Sequence, residues 1–145
     1  MNVDIVCRVA RRKISLRRVK RSARKILGLI DERDARLTVR IVGSGEARAL
    51  NRHFRGTDRP TNVLTFVMRK RPRLEGDIAL CAPVIAREAR ARRRSAAAHY
   101  AHLLVHGVLH LQGYDHETAR QARLMERRES RVVARLGFPD PYGSL

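Results

Sequence analysis

From Ala96 to about Leu111 the chain carries no Asp, Glu, Lys or Arg, although 32% of all its residues are charged. Alternating strands cannot be read there, because Ala, Leu, Val and His follow one another without a two-residue period. The run predicts a helix of about four turns, with Ser95 as its cap and Gly113 as its stop. A helix without charge on any face is buried. It is too short for a membrane span, which needs about 20 apolar residues, and no other run reaches that length. The rest of the chain is therefore expected to pack around this helix.

What surrounds it reads as a mixture of strands and helices. Val3, Ile5, Cys7 and Val9 alternate as a strand over 2–10, and Leu37, Val39 and Ile41 as a second. Asn62 to Met68 and Gly76 to Cys81 make a third and a fourth, joined by a mobile basic connection, Arg69 to Arg73. Helical spacing is clear over 15–30, with Leu16, Val19, Ala23, Ile26, Leu27 and Ile30 on one face. Ser44 is a candidate N-cap for a short helix through Ala47, Leu50 and His53. Ala82 to Arg94 forms another helix, and a last one runs from about Glu117 to Leu136, ended by Gly137 and Pro139. No strict strand–helix–strand alternation runs through the chain, so the class is α+β. No linker, repeat or second core is visible, and 145 residues fit a single domain, 1–145.

The charge balance narrows the function. The net charge is +18, and all but four of the 32 basic residues are Arg. Guanidinium forks match phosphates, and a field of this sign steers a polyanion. Only 4% of residues are aromatic and there is no Trp, which argues against a base-stacking sheet of the RRM or OB type. Cys7 and Cys81 form no CxxC and no disulfide framework; two buried free thiols are expected. The opening residues, MNVDIVCRVARRK, lack the pattern of a signal peptide, so a cytoplasmic protein is expected.

Four of the six histidines lie between positions 99 and 110, and a fifth is His116. His106 and His110 are four apart and share one helix face. Gly113 admits the left-handed turn that would bring His116 back toward them. His102 stands on the same stripe, but eight residues of helix rise about 12 Å, too far for His102 and His110 to share one ion. His102 and His99 are therefore expected behind the ligands or in the core. A lone helical His is usually a satisfied core residue; three at this spacing with a glycine turn between them point to metal. Three imidazoles without thiolate suit one Zn2+ per chain, with nickel or copper able to compete. A structural zinc would be closed by a fourth protein ligand. With water as the fourth ligand, zinc brings that water's pKa to about 7.

The carboxylates are less clear. Zinc peptidases of the HExxH type carry Glu beside the first His as general base; here that position is Gly107. Asp115 and Glu117 are the alternative bases nearby, with a turn residue and a first-turn charge as their ordinary roles. Glu129 falls within the apolar stripe of the last helix, between Met125 and Val132, and an ion pair with a buried Arg is expected for it.

The run His106-Gly107-Val108-Leu109-His110-Leu111-Gln112-Gly113-Tyr114-Asp115-His116 resembles the bacterial YbeY endoribonuclease (rRNA maturation factor) family. Leu50-Asn51, Phe54-Arg55-Gly56 and Pro60-Thr61-Asn62-Val63-Leu64-Thr65-Phe66 resemble a second signature of that family. Gly76-Asp77-Ile78 resembles a third, and Met125, Glu126 and Glu129 its last helix; the likeness covers about residues 3–142. It implies a zincin-like fold, a small mixed four-stranded sheet against helices with the His-bearing helix at its centre. It implies a single-strand-specific, zinc-dependent endoribonuclease acting in rRNA maturation, including the small-subunit rRNA 3′ end, and in ribosome quality control. It places the zinc on His106, His110 and His116 and marks Arg55 as functional. Single-stranded rRNA, the small ribosomal subunit and assembly factors are the implied partners, with no membrane. Thr65, where the family often has Ser, and the RKRPR connection depart from the pattern. Two rivals stand beside this reading: an rRNA-binding assembly factor with a weakly catalytic metal, and a zinc peptidase, which Gly107 and the charge disfavour.

Overall fold

The computed structural model describes residues 1–10, 14–55 and 61–143, without the side chains of 54 and 55. In chain order the elements are β1 (Asn2–Cys7), α1 (Leu16–Leu29), β2 (Arg36–Val42), α2 (Ser44–Arg55), β3 (Val63–Arg69), β4 (Glu75–Cys81), α3 (Ala82–Ala91), α4 (Ala96–Gln112) and α5 (Ala119–Arg135). The four strands form one sheet in the order β1-β2-β4-β3. β1, β2 and β4 are parallel, and β3 runs antiparallel to β4 at the edge. The class is mixed α+β, as expected.

Alternation divides the sheet into two faces. Leu37, Val39, Ile41, Ile78 and Leu80 face the main core, which α1, α4 and α5 complete. Leu64, Ala79, Val42 and Cys81 face the other way and form a smaller cluster with Ala47 of α2 and Val84 of α3. The register sets Thr65 beside Ile78 and Leu64 beside Ala79, so Thr65 lies on the α4 side.

α4 is buried along most of its length, including Leu104, Val105, Val108 and Leu109. Each such side chain contributes about 1.5–3 kcal/mol by leaving water. Ser95 Oγ accepts from the Ala98 amide at 3.1 Å and starts the helix. Gly113, at φ 118°, ends it and turns the chain back. Gly107 lets α4 approach the sheet: a Cβ there would stand 3.1 Å from Ile78 Cδ1 and 3.4 Å from Thr65 Cγ2. Position 107 therefore faces the sheet, with no room for a general base.

Several boundaries differ from expectation. β1 stops at Cys7, so Val9 lies beyond it. Cys81 is buried and Cys7 only half-buried; both thiols are free. Ser44 is the first residue of α2, whose first turn closes on the Gly43 carbonyl through Ala47 N at 3.0 Å. α3 ends at Ala91 because Arg93 takes a positive φ of 54°. α5 starts at Ala119, where Thr118 and Gln121 form a reciprocal capping box. In the basic connection after β3, Arg73 Nε donates to Glu75 at 3.0 Å. Among the described residues no helix is long and apolar enough to cross a membrane.

Candidate metal centre and RNA cleft

α4 presents His106 and His110 one turn apart on the side that faces β3. The turn at Gly113 carries the chain through Tyr114 and Asp115 and brings His116 back against both. The ring centres are 5.4 Å apart for His106 and His116, 6.0 Å for His110 and His116, and 6.4 Å for His106 and His110. All three rings line a cleft of about 290 Å³, walled by Asn51 of α2 and by Asn62 and Thr65. A second space of about 280 Å³ continues past His110 and Thr65 toward Lys70, Tyr114 and Asp115.

The protonation of two rings follows from their partners. Glu129 Oε2 lies 3.0 Å from His106 Nδ1. The Tyr114 carbonyl lies 2.9 Å from His110 Nδ1. A carbonyl oxygen only accepts, and so does an ionised carboxylate, so each Nδ1 is the donor, and in the neutral ring Nε2 is the atom that holds the lone pair. Carboxylate and carbonyl partners of this kind fix metal-ligating histidines.

Glu129 is the hub behind the rings. Its side chain is 1% exposed. Its Oε1 accepts from His102 Nε2 at 2.7 Å and from the Tyr142 hydroxyl at 2.6 Å. Burial alone would push its carboxyl up; the bonds from His102, His106 and Tyr142 outweigh that and lower it to about 2. The expected buried Arg is not its partner: two histidines and a tyrosine are. Tyr142 is held in turn by the chain end. Asp140 Oδ1 accepts from Tyr142 N at 3.0 Å and from Ser130 Oγ at 2.7 Å, and Arg94 donates to the Pro141 carbonyl at 3.2 Å.

A second relay backs the cleft wall. Asn62 Nδ2 donates to Glu88 Oε1 at 3.0 Å, and His99 Nε2 lies 2.9 Å from the same oxygen. Burial depresses the His99 pKa, so His99 is a neutral donor to Glu88 rather than one half of an ion pair. Its buried Nδ1 has no partner among the described residues, which is consistent with that tautomer.

Asp115 Oδ1 accepts from its neighbour's amide, His116 N, at 2.7 Å, the bond of a turn residue. Glu117 is exposed ahead of α5. α2 ends at Arg55, whose side chain lies outside the described residues, as do Gly56 to Pro60. The three histidines thus come together as their spacing implied. Glu129 is buried as its place in the apolar stripe implied but bonds two histidines and Tyr142 instead of an Arg, and neither Tyr142 nor the Asn62–Glu88–His99 relay carries a local signal in the sequence.

Two imidazoles on one tetrahedral zinc, with Zn–N of about 2.1 Å, have ring centres about 5.2 Å apart. The trio is slightly more open than that, and among the described residues no three His, Cys, Asp or Glu side chains already stand close enough to hold an ion. The donor chemistry nevertheless fits: three imidazoles line one cleft, and in two of them Nδ1 is bonded behind, which leaves Nε2 as the atom for a metal.

Comparison with known proteins decides the family. The model of the family described as Endoribonuclease YbeY matches residues 4–137. The chain belongs to the YbeY endoribonuclease family. A YbeY endoribonuclease of Aromatoleum aromaticum is 57% identical over 109 residues, covering 75% of this chain and 71% of the relative. That of Nitrosomonas eutropha is 54% identical over 119 residues, 82% of this chain and 84% of the relative. The solution structure of TM1509 from Thermotoga maritima matches with a TM-score of 0.63 at 26% identity, covering 98% of this chain and 99% of that one. As a YbeY family member the protein is an enzyme, a nuclease that cuts RNA internally.

Proposed function

We propose that the chain acts as one zinc-dependent endoribonuclease domain, with a single Zn2+ on His106, His110 and His116. Its substrate is single-stranded rRNA, including the small-subunit rRNA 3′ end, and it serves rRNA maturation and ribosome quality control in the cytoplasm. The small ribosomal subunit and assembly factors are its proposed partners. One observation carries the metal reading: three imidazoles converge on a cleft, and two of them have Nδ1 bonded behind, which leaves Nε2 as the atom for a metal.

When bound, zinc supplies a Lewis acid for a phosphate oxygen and lowers the pKa of nearby water. The protein's own groups do the rest. Glu129 and the Tyr114 carbonyl hold the two rings in one tautomer, so no reorientation accompanies the reaction. Asn51, Asn62 and Thr65 shape the wall against which the strand lies. Arg55 neutralises charge that develops on the phosphoryl group, a role that suits its fork. The attacking oxygen is water or the ribose 2′-OH. A 2′,3′-cyclic phosphate end on the product identifies the 2′-OH route; exclusive 5′-phosphate and 3′-OH ends exclude it.

The test is metal content measured beside cleavage of an rRNA fragment, for wild type and His110→Ala. About one zinc per chain, with metal and cleavage both lost in the variant, supports the reading. Equal cleavage by both proteins overturns it in favour of an rRNA-binding assembly factor.

A further inference from the structure

α5 leaves the histidine site directly: its first residue, Ala119, is three positions after His116. Its core side carries Met125, Glu129, Val132 and Val133. The opposite side carries Arg120, Arg123, Arg127, Arg131 and Arg135, all exposed. At 100° per residue these five fall within about 120° of arc, along about 23 Å of helix. No Asp or Glu shares that arc, and among the described residues none of the five has an ion-pair partner. Leu124 stands among them at 49% exposure.

This pattern does nothing for the fold. Like charges four apart on a helix repel and weaken it. Arg123, Arg127, Arg131 and Arg135 repeat that spacing three times in succession. The repulsion disappears when a polyanion lies along the stripe. Guanidinium forks suit phosphates, and the enzyme's substrate is a chain of them.

We propose that the outer face of α5 is an RNA track, which holds the single strand as it leaves the cleft beyond His116. The arginines bind phosphates without reading sequence. Leu124 offers an apolar contact to a base. The track's role is to lengthen the footprint on RNA, so that long single strands are preferred over fragments that fill the cleft alone. This rests on the endoribonuclease reading of the cleft.

The experiment replaces Arg123, Arg127, Arg131 and Arg135 with Gln together, on the metal-loaded enzyme. These side chains are exposed, so folding should persist, and a thermal melt checks it. Binding is measured to a long single-stranded DNA, which an endoribonuclease leaves uncut, and cleavage to a long single-stranded RNA and to an RNA tetranucleotide. Each phosphate contact in a single strand adds about 0.7 to the slope of log affinity against log salt. Four lost contacts lower the slope by about 2.8, so between 50 and 200 mM salt the wild type loses about 50-fold more affinity than the variant. kcat/KM falls for the long RNA at low salt and is unchanged for the tetranucleotide. An unchanged slope overturns the track. So does an equal loss on the tetranucleotide, which would place the effect in the cleft.

A control removes four charges elsewhere: Arg17, Arg21, Arg24 and Lys25 of α1, to Gln. α1 packs on β1, the opposite edge of the sheet from β3. A smaller slope change there than in α5 supports the track; an equal one assigns the effect to bulk charge and overturns it. Failure of the wild type to cut either RNA would instead overturn the function proposed for the cleft.

Discussion

Glu129→Gln separates a carboxylate that orients a metal ligand from one that only fills the core. The carboxylate now accepts three bonds, from His102, His106 and Tyr142, and donates none. The amide has one oxygen and one NH2. If the oxygen keeps His102 and Tyr142, the NH2 meets the His106 Nδ1 proton. His106 must then lose that bond or move its proton to Nε2, the atom needed for metal. If the amide flips, His102 and Tyr142 face the NH2 instead. Replacing three charge-assisted bonds by neutral ones, or losing one of them, costs about 2–4 kcal/mol. The carboxyl's fall from 4.5 to about 2 has the matching sign: the three bonds outweigh burial, so relief of the buried charge does not cancel the loss. In the metal-free protein this lowers Tm by about 3 °C per kcal/mol. Zinc affinity, measured by competition with a chromophoric chelator, should fall about 10–100-fold. Tyr142→Phe removes one donor and should give the same two changes at smaller size. A lowered Tm with unchanged zinc affinity in Glu129→Gln would refute the orienting role. An unchanged Tm would refute the reasoning from the bond count.

Arg55→Ala should lower kcat about 100–1,000-fold, the usual loss of a transition-state donor, while elemental analysis still finds about one zinc per chain. Arg55→Lys should recover only part of the rate, because the ammonium lacks the fork. Gly107→Glu should not create a peptidase. Its Cβ would meet Ile78 at 3.1 Å, and its carboxylate would be buried against the sheet, so denaturant unfolding should show a loss above about 3 kcal/mol. Stability of the metal-free protein should depend on pH through His99 and Glu88, whose folded pKa values both lie below their ordinary 6.5 and 4.5. The unfolded chain then binds more protons, so Tm should be highest above pH 6.5, decline as His99 is forced to charge and decline again below 4.5 as Glu88 is protonated. A Tm that rises on acidification from neutral pH would contradict that sign.

What the sequence revealed and what it hid divide by distance along the chain. The charge-free run of α4, the four-residue step from His106 to His110 and the Gly113 turn are local, and periodicity with turn chemistry exposes them directly. The strand segments were legible for the same reason, because alternation marks one buried face at a time. Glu129 shows the other regime. Its position within an apolar stripe announced a buried carboxylate that needed partners, but the stripe says nothing about which residues arrive across space. They came from α4, 23 and 27 positions away, and from the chain end, 13 positions away. An Arg was the natural expectation in so basic a chain, yet a buried guanidinium would have brought a second charge to desolvate. Imidazole and phenol donors can satisfy the same carboxylate without a permanent second charge.

Gly107 shows how the two regimes meet. Read locally, it is a gap where a peptidase keeps its base. Read in the fold, it is the point where α4 lies closest to Ile78 and Thr65, and that approach sets the helix against β3 with His106 and His110 over the cleft. A glutamate there would have to push the helix off the sheet that positions the rings. Close approach at 107 and a carboxylate base at 107 are therefore alternatives. A chain built the first way must take any proton acceptor from a position other than 107.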